Sequence, residues 1–247
     1  MTAWLTIMLM VARLGGFVLI APLFSRREIP ALAKIALIWA MALLVQPEVP
    51  EPDFVEKNYM LMIISESLYG LALGWGTRVL FISYQGAGHL MEQQAGFGIA
   101  TWFDPALGQT GVYSRMMGLM GLILFLALDG HYTLTKAVMS SFQLVPPGLG
   151  IASTGVLEIL IHAFVASILF ILRFAAPVLV VVFTVDILLG LLGKTVSQLN
   201  VLMMGLPVKS MVSMLVLLSM MPAYMNLTDP LLREIMKVLS GILEAGA

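Results

Sequence analysis

An apolar run over residues 116–148 constrains this chain more than any other segment, because Asp129, Gly130 and His131 interrupt it at its middle. Its halves, 116–128 and 133–145, hold thirteen residues each, whereas a helix needs roughly 20 apolar residues to cross the hydrocarbon of a bilayer. Two foldings remain. One is a single long helix with a carboxylate, a helix-weakening glycine and an imidazole at bilayer depth; the other is a hairpin of two short legs that turns at those three residues. Both need protein or water around the break, since a charged side chain facing lipid costs at least about 2.5 kcal/mol and an unsatisfied backbone group several. The run therefore belongs inside an assembly.

The chain as a whole is 60% hydrophobic and 11% charged, where a soluble domain carries about 25% charged residues. This predicts an all-α integral membrane protein of helical hairpins with broken or kinked helices, one membrane-embedded domain over 1–247. The net charge of -1 argues against nucleic acid as a partner. The absence of cysteine removes disulfides and thiolate metal sites. Met1, Thr2, Ala3 and Trp4 provide no basic region ahead of the first apolar run, so no cleaved signal peptide is expected. The three histidines, at 89, 131 and 162, are scattered, with no H-E-x-x-H, nucleophile elbow or phosphate loop; no enzyme, metal site or cofactor is expected.

The remaining chain reads as further helices with interruptions. Residues 3–24 are long enough to span, with Arg13 near the centre and in need of a partner. After a polar turn with Arg26, Arg27, Glu28 and Pro30, the fifteen residues 31–45 span only if Lys34 snorkels. Residues 46–58 hold Glu48, Glu51, Asp53 and Glu56 against Lys57, an acidic loop of net charge -3, four acids less one base. Residues 59–89 are one helical run in which Gly70 and Gly74 lie one turn apart; this marks a close helix contact, or only the general abundance of glycine in membrane helices. Glu66 and Arg78 lie near one face but about 18 Å apart along the axis, so each looks to another helix or another chain.

Residues 91–115 interleave Gly96, Gly98, Pro105, Gly108 and Gly111 with Phe97, Trp102, Phe103 and Val112, with only Glu92, Asp104 and Arg115 charged. Such a segment packs against protein in a non-helical path, or lies with its aromatics at the headgroups. Beyond the central run, Pro146, Pro147 and Gly148 stop the helix. Residues 156–192 follow, with Glu158, Arg173 and Asp186 and a kink expected at Pro177. Residues 199–221 are expected to break at Gly205, Pro207 and Lys209. From 229 to 247, Asp229 as cap, Pro230 at the first position and Leu231, Ile235, Leu239 and Leu243 at i, i+4 describe an amphipathic tail that lies on a surface or partner.

A simple count gives six spans. Taking the central run as a hairpin instead returns the tail, with Arg233 and Lys237, to the side of Arg26, Arg27 and Lys34.

Ten ionisable residues sit in apolar runs: Arg13, Lys34, Glu66, Arg78, Asp129, Lys136, Glu158, Arg173, Asp186 and Lys209. Such groups mark bundle interiors, watery paths or partners, with pairing inside the chain as the alternative for any one of them. Glu66, Arg78, Arg173 and Asp186 are expected to meet charges of neighbouring subunits, and Asp129, Gly130, His131 and Lys209 to make polar intersubunit contacts at helix breaks. The nineteen methionines, clustered at 116–120 and 203–221, form a deformable seal or ordinary core filling.

The run Leu124, Phe125, Leu126, Ala127, Leu128, Asp129, Gly130, His131, then Ser141, Phe142 and Pro146, and later Gln198, Asn200, Gly205, Leu206, Pro207, Val208 and Lys209 resemble the FliR family of flagellar and type III secretion export-gate subunits. Ile29 with Pro30, Gly96 with Phe97, and Phe103, Asp104 and Pro105 are similar too, and the resemblance covers Pro22 to Met221. Where that family usually has Asn, this chain has Asp129, which leaves its protonation open.

The resemblance implies a helical multi-subunit gate in the bacterial inner membrane, at the flagellar basal body. FliP-like, FliQ-like and FlhB-like subunits would be its partners and unfolded exported proteins its cargo, with membrane lipid around it. The chain would be a FliP-like part followed by a FliQ-like part, without catalysis. The family's pore plug would fall on Phe97, Gly98, Phe103, Pro105, Gly111 and Val112, and such a gate can lie largely above the bilayer plane. The competing class is an ion or small-molecule transporter using Asp129, His131 and Lys136 at a broken helix; it predicts inverted repeats, which this sequence does not display.

Overall fold

A computed structural model of the chain describes residues 2–26, 28–46, 59–97, 111–148, 154–195 and 201–246. Eight α-helices occupy them: α1 (Thr2–Ile20), α2 (Ala31–Val45), α3 (Tyr59–Ala95), α4 (Val112–Ala127), α5 (Gly130–Leu144), α6 (Thr154–Thr195), α7 (Val201–Ser219) and α8 (Met221–Gly246), with no strand among the described residues. The all-α membrane fold thus stands as expected. The spans do not. Among the described residues only α6, over Gly155–Thr195 with mean hydropathy 2.6, is by itself long and apolar enough to cross a bilayer; α4 with α5 and α7 with α8 qualify only as bent pairs. By length and composition, the six expected spans become one among the described residues, or three if each bent pair is one span.

The central break is neither a long helix nor a hairpin. α4 and α5 meet at 69°, because Asp129 takes a left-handed conformation (φ 53°, ψ 27°) and ends α4 while starting α5. Its N–H donates to the Leu126 carbonyl and its own carbonyl accepts from Thr133 N–H at 3.1 Å. Gly130 follows because a Cβ there would run into the Phe125 ring. α7 runs unbroken through Gly205, Pro207 and Lys209, and the second bend, 61°, falls at Met220 instead. Nor does Asp229 cap the tail: α8 begins at Met221 and carries Pro230 inside it. Lys34 reaches back from the first turn of α2, its Nζ donating to the Arg26 carbonyl at 2.9 Å and tying the polar turn to the helix.

The chain divides into two compact units, one from Met1–Phe81, Phe125–Ala166 and Leu232–Ala247, the other from Ile82–Leu124 and Ser167–Leu231. In the first, α1 and α3 touch backbone to backbone: a Cβ on Gly16 would strike the Ser67 carbonyl, and one on Gly70 the Arg13 carbonyl. The glycine ladder is therefore a true close contact. The tail stripe of Ile235, Val238, Leu239, Ile242 and Leu243 is buried in the same unit, with Val238 and Ile242 over Gly76 of α3 and Gly241 of the tail facing Ile159 of α6. In the second unit Tyr84 stacks on Phe174 at 4.6 Å between centroids, and its hydroxyl pairs with Thr228 Oγ1 at 2.7 Å. Gly88 lets α3 lie against the backbone of Tyr113 and Ser114 in α4.

Candidate functional site

Two polar clusters stand out, one in each unit. In the first, Arg13 of α1 is fully buried and lies between the rings of Tyr69 and Phe142, at 4.8 and 4.6 Å. Its Nε donates to Glu66 Oε2 at 2.5 Å and its Nη2 to Glu66 Oε1 at 3.1 Å, a two-pronged pair. Nη1 donates to the carbonyls of Ser141 and Val145, at 3.0 and 2.9 Å. Gly148 N–H, at 2.8 Å, completes the shell of Glu66. A charge pair stripped of water survives only when its remaining donors and acceptors are filled. Here they are, and the cluster fastens α1, α3 and the end of α5 to one another.

The second cluster surrounds the roots of segment 98–110. α3 ends in a Schellman turn: Gly96 has φ 88°, Phe97 N–H donates to the Glu92 carbonyl at 3.2 Å and Gly96 N–H to the Gln93 carbonyl at 3.3 Å. A left-handed residue is required there, which is why glycine stands at 96. The side chain of the same Glu92 reaches the other root, accepting Val112 N–H through Oε1 at 3.1 Å at the start of α4. A Cβ on Gly111 would occupy the space of that carboxylate. Phe97 lies on Tyr113 at 5.4 Å between centroids, and Tyr113 hydroxyl meets Ser213 Oγ at 2.7 Å. Alongside, Asp186 of α6 binds Lys209 of α7 and Gln94 Nε2 of α3, the latter at 3.1 Å.

Of the residues singled out in the sequence, Phe97, Gly111 and Val112 are brought together at this root, and Gly98, Phe103 and Pro105 lie outside the described residues. Glu66 and Asp186, expected to meet other subunits, find partners inside this chain in Arg13 and Lys209. The physical reason is length: neither could reach Arg78 or Arg173 along one helix, but the fold supplies a cation from another. Arg78 and Arg173 are exposed, with no ion pair among the described residues. Asp129 and His131 flank the bend with exposed side chains in the first unit, while Lys209 belongs to the second. Glu92 escaped the sequence reading, although its place four residues before Gly96 is a signal for a helix-end turn whose acid can also reach a following helix. Among the described residues no group of side chains is arranged to hold a metal ion.

Residues 4–235 match the family described as bacterial export proteins, family 1. The chain is 31% identical over 220 residues to flagellar biosynthetic protein FliR of Bacillus subtilis (strain 168), covering 85% of this chain and 84% of that protein. It is 29% identical over 242 residues to flagellar biosynthetic protein FliR of Pectobacterium carotovorum subsp. carotovorum, covering 94% and 90%. Over 220 residues it is 24% identical to Yop proteins translocation protein T of Yersinia pestis, covering 86% and 84%.

Proposed function

The chain belongs to the bacterial export proteins, family 1, among the FliR proteins, and from that premise we propose that it is the pore subunit of a flagellar protein export gate in the bacterial inner membrane. The observation that carries this reading is the family match over residues 4–235, which takes in both units. The flagellar assignment follows the identities, 31% and 29% to flagellar relatives against 24% to a translocation protein. The gate sits at the flagellar basal body, with FliP-like, FliQ-like and FlhB-like subunits as neighbours. Unfolded flagellar proteins pass through it, and the chain conducts without catalysing.

Segment 98–110 acts as the plug. Its two roots are held by one residue, Glu92, whose carbonyl accepts Phe97 N–H and whose carboxylate accepts Val112 N–H, so the end of α3 and the start of α4 are fixed to each other. Phe97 and Phe103 supply apolar filling, Pro105 and Gly111 set the turns, and Val112 borders the wall. An irregular, apolar backbone at membrane depth is tolerated only against protein, and a plug that yields to each passing polypeptide holds its open form at roughly 0.1–10%. The transporter reading loses support because Asp129 and His131 point outward at a turn whose carbonyl, not its carboxylate, makes the hydrogen bonds.

The test is to purify the tagged chain from membranes of its own cells and weigh what comes with it. A defined complex with other membrane subunits is expected; a functional lone monomer overturns the reading. Deleting two residues between Pro105 and Gly111 should leave that complex intact and raise ion leakage through it, and an unchanged leak in a full complex removes the plug role.

A further inference from the structure

We infer that the face of α6 around Arg173 docks a membrane helix of another subunit that presents a carboxylate at the same depth. The inference rests on the export-complex reading and adds to it the chemistry of one neighbour. From Ile159 to Val185, α6 contains a single Lys, Arg, Asp or Glu, which is Arg173, with fourteen residues before it and twelve after. That is about 20 Å of uncharged helix on either side. Wherever a hydrocarbon layer of about 30 Å falls along this stretch, Arg173 lies at least about 9 Å inside it. An arginine so placed reaches a headgroup only by thinning or wetting the bilayer around it.

Its side chain is exposed, leaning on the Phe170 ring at 5.5 Å, and the same face continues through exposed Leu169, Ala176 and Val180. Facing lipid, such a charge is costly. The helix cannot satisfy it from its own carboxylates: Asp186 holds Lys209, and Glu158 lies fifteen residues away.

A second polar group sits at the same turn. Pro177, inside α6, has no N–H to give to the carbonyl four residues earlier, and that carbonyl belongs to Arg173. A cation and a released acceptor thus share one site on an apolar face. Lipid tails offer neither an anion nor a donor. A helix bearing Asp or Glu, with a hydroxyl or amide side chain one turn away, offers both.

The chain has no cysteine, so single cysteines placed at Ala176 and at Val180 report on this face in the assembled complex, in native membranes. Both are expected to cross-link to a neighbouring membrane subunit and to resist a maleimide dissolved in the lipid phase. Arg173→Leu should lower the yield of co-purified complex roughly tenfold or more, with Arg173→Lys retaining part of it. Arg173→Glu should be rescued by placing Arg at the opposing carboxylate. A lipid-facing helix predicts the reverse: Arg173→Leu assembles as well as wild type or better, and the lipid-phase reagent labels both cysteines; that result overturns the inference. If the Arg173→Leu chain does not accumulate, the cysteine readout on the Arg173 chain decides alone. A wild-type chain that co-purifies with no subunit overturns the export reading and this inference together, whereas full-yield assembly of Arg173→Leu with the other subunits overturns this inference only.

Discussion

Glu66 and Glu92 stand on the same helix, both are buried, and they are bound in opposite ways. Glu66 has an arginine against both oxygens and a backbone N–H besides. Glu92 has one backbone N–H on Oε1 and, among the described residues, no hydrogen-bond partner on Oε2. The first is a closed fastening whose every group is filled. The second is a light tie between the end of α3 and the start of α4. In an apolar chain a buried carboxylate can therefore be either a rivet or a latch, and the difference lies in whether a cation comes with it.

Breaking the rivet is expected to have the largest effect. Removing one partner of a buried pair costs about 3–5 kcal/mol, because the other charge stays buried without compensation, while exchanging both for apolar residues is often near neutral. Arg13→Met and Glu66→Leu should each sharply reduce the amount of chain in the membrane, and the double variant should recover much of it. Thermal unfolding of the purified complex gives the same comparison. Single variants that melt with wild type would mean the cluster carries no stability and the contrast with Glu92 fails.

Loosening the latch is expected to cost less and to show elsewhere. Glu92→Ala removes the acceptor for Val112 N–H at the start of α4, a capping loss of about 0.5–2 kcal/mol. The complex should still assemble, but the plug root should wander and ion leakage should rise. Glu92→Gln keeps an acceptor oxygen for that N–H and should leak less than Glu92→Ala. If the two variants leak no more than wild type, Glu92 does not hold the segment; if assembly is lost, it is a rivet after all.

How much of this was legible in the sequence divides along the same line. Helix positions follow from apolar runs, so α2 lies where residues 31–45 were expected and α6 runs through Pro177. The need of Arg13 for a partner was readable too, since burial of a lone charge in an apolar run is forbidden by its cost alone. Its partner was not, because Glu66 is fifty-three residues away and only tertiary packing through Gly16 and Gly70 brings the helices close enough. The hairpin at Asp129 failed for a related reason. Composition marks a break, but the angle is set by a single left-handed residue, which a composition pattern does not register. Pro207 and Pro230 were read as a break and a beginning and are neither; apolar packing along α7 and α8 outweighs one missing hydrogen bond in each.

The smallest expected effect concerns Asp129, and it separates backbone from charge. In its left-handed conformation an ordinary L-residue is strained, and Asn and Asp are the non-glycine residues that tolerate it best. Its carboxylate makes no capping hydrogen bond, and its charge is placed ambiguously: unfavourable at the carboxyl end of α4, favourable at the amino end of α5. Those dipole effects oppose one another, so the charge adds little to stability and the backbone angle is what the position selects. Asp129→Asn should then leave the melting temperature and export within error of wild type, a change of no more than about 0.5 kcal/mol. Asp129→Ala, with no polar side chain to favour the left-handed region, should cost about 1 kcal/mol, and Asp129→Gly should restore the turn. The three melting temperatures, measured on the purified complex, are the check. If Asn proves as damaging as Ala, the carboxylate itself is needed, and the bend becomes a charged site of the kind a transporter would use.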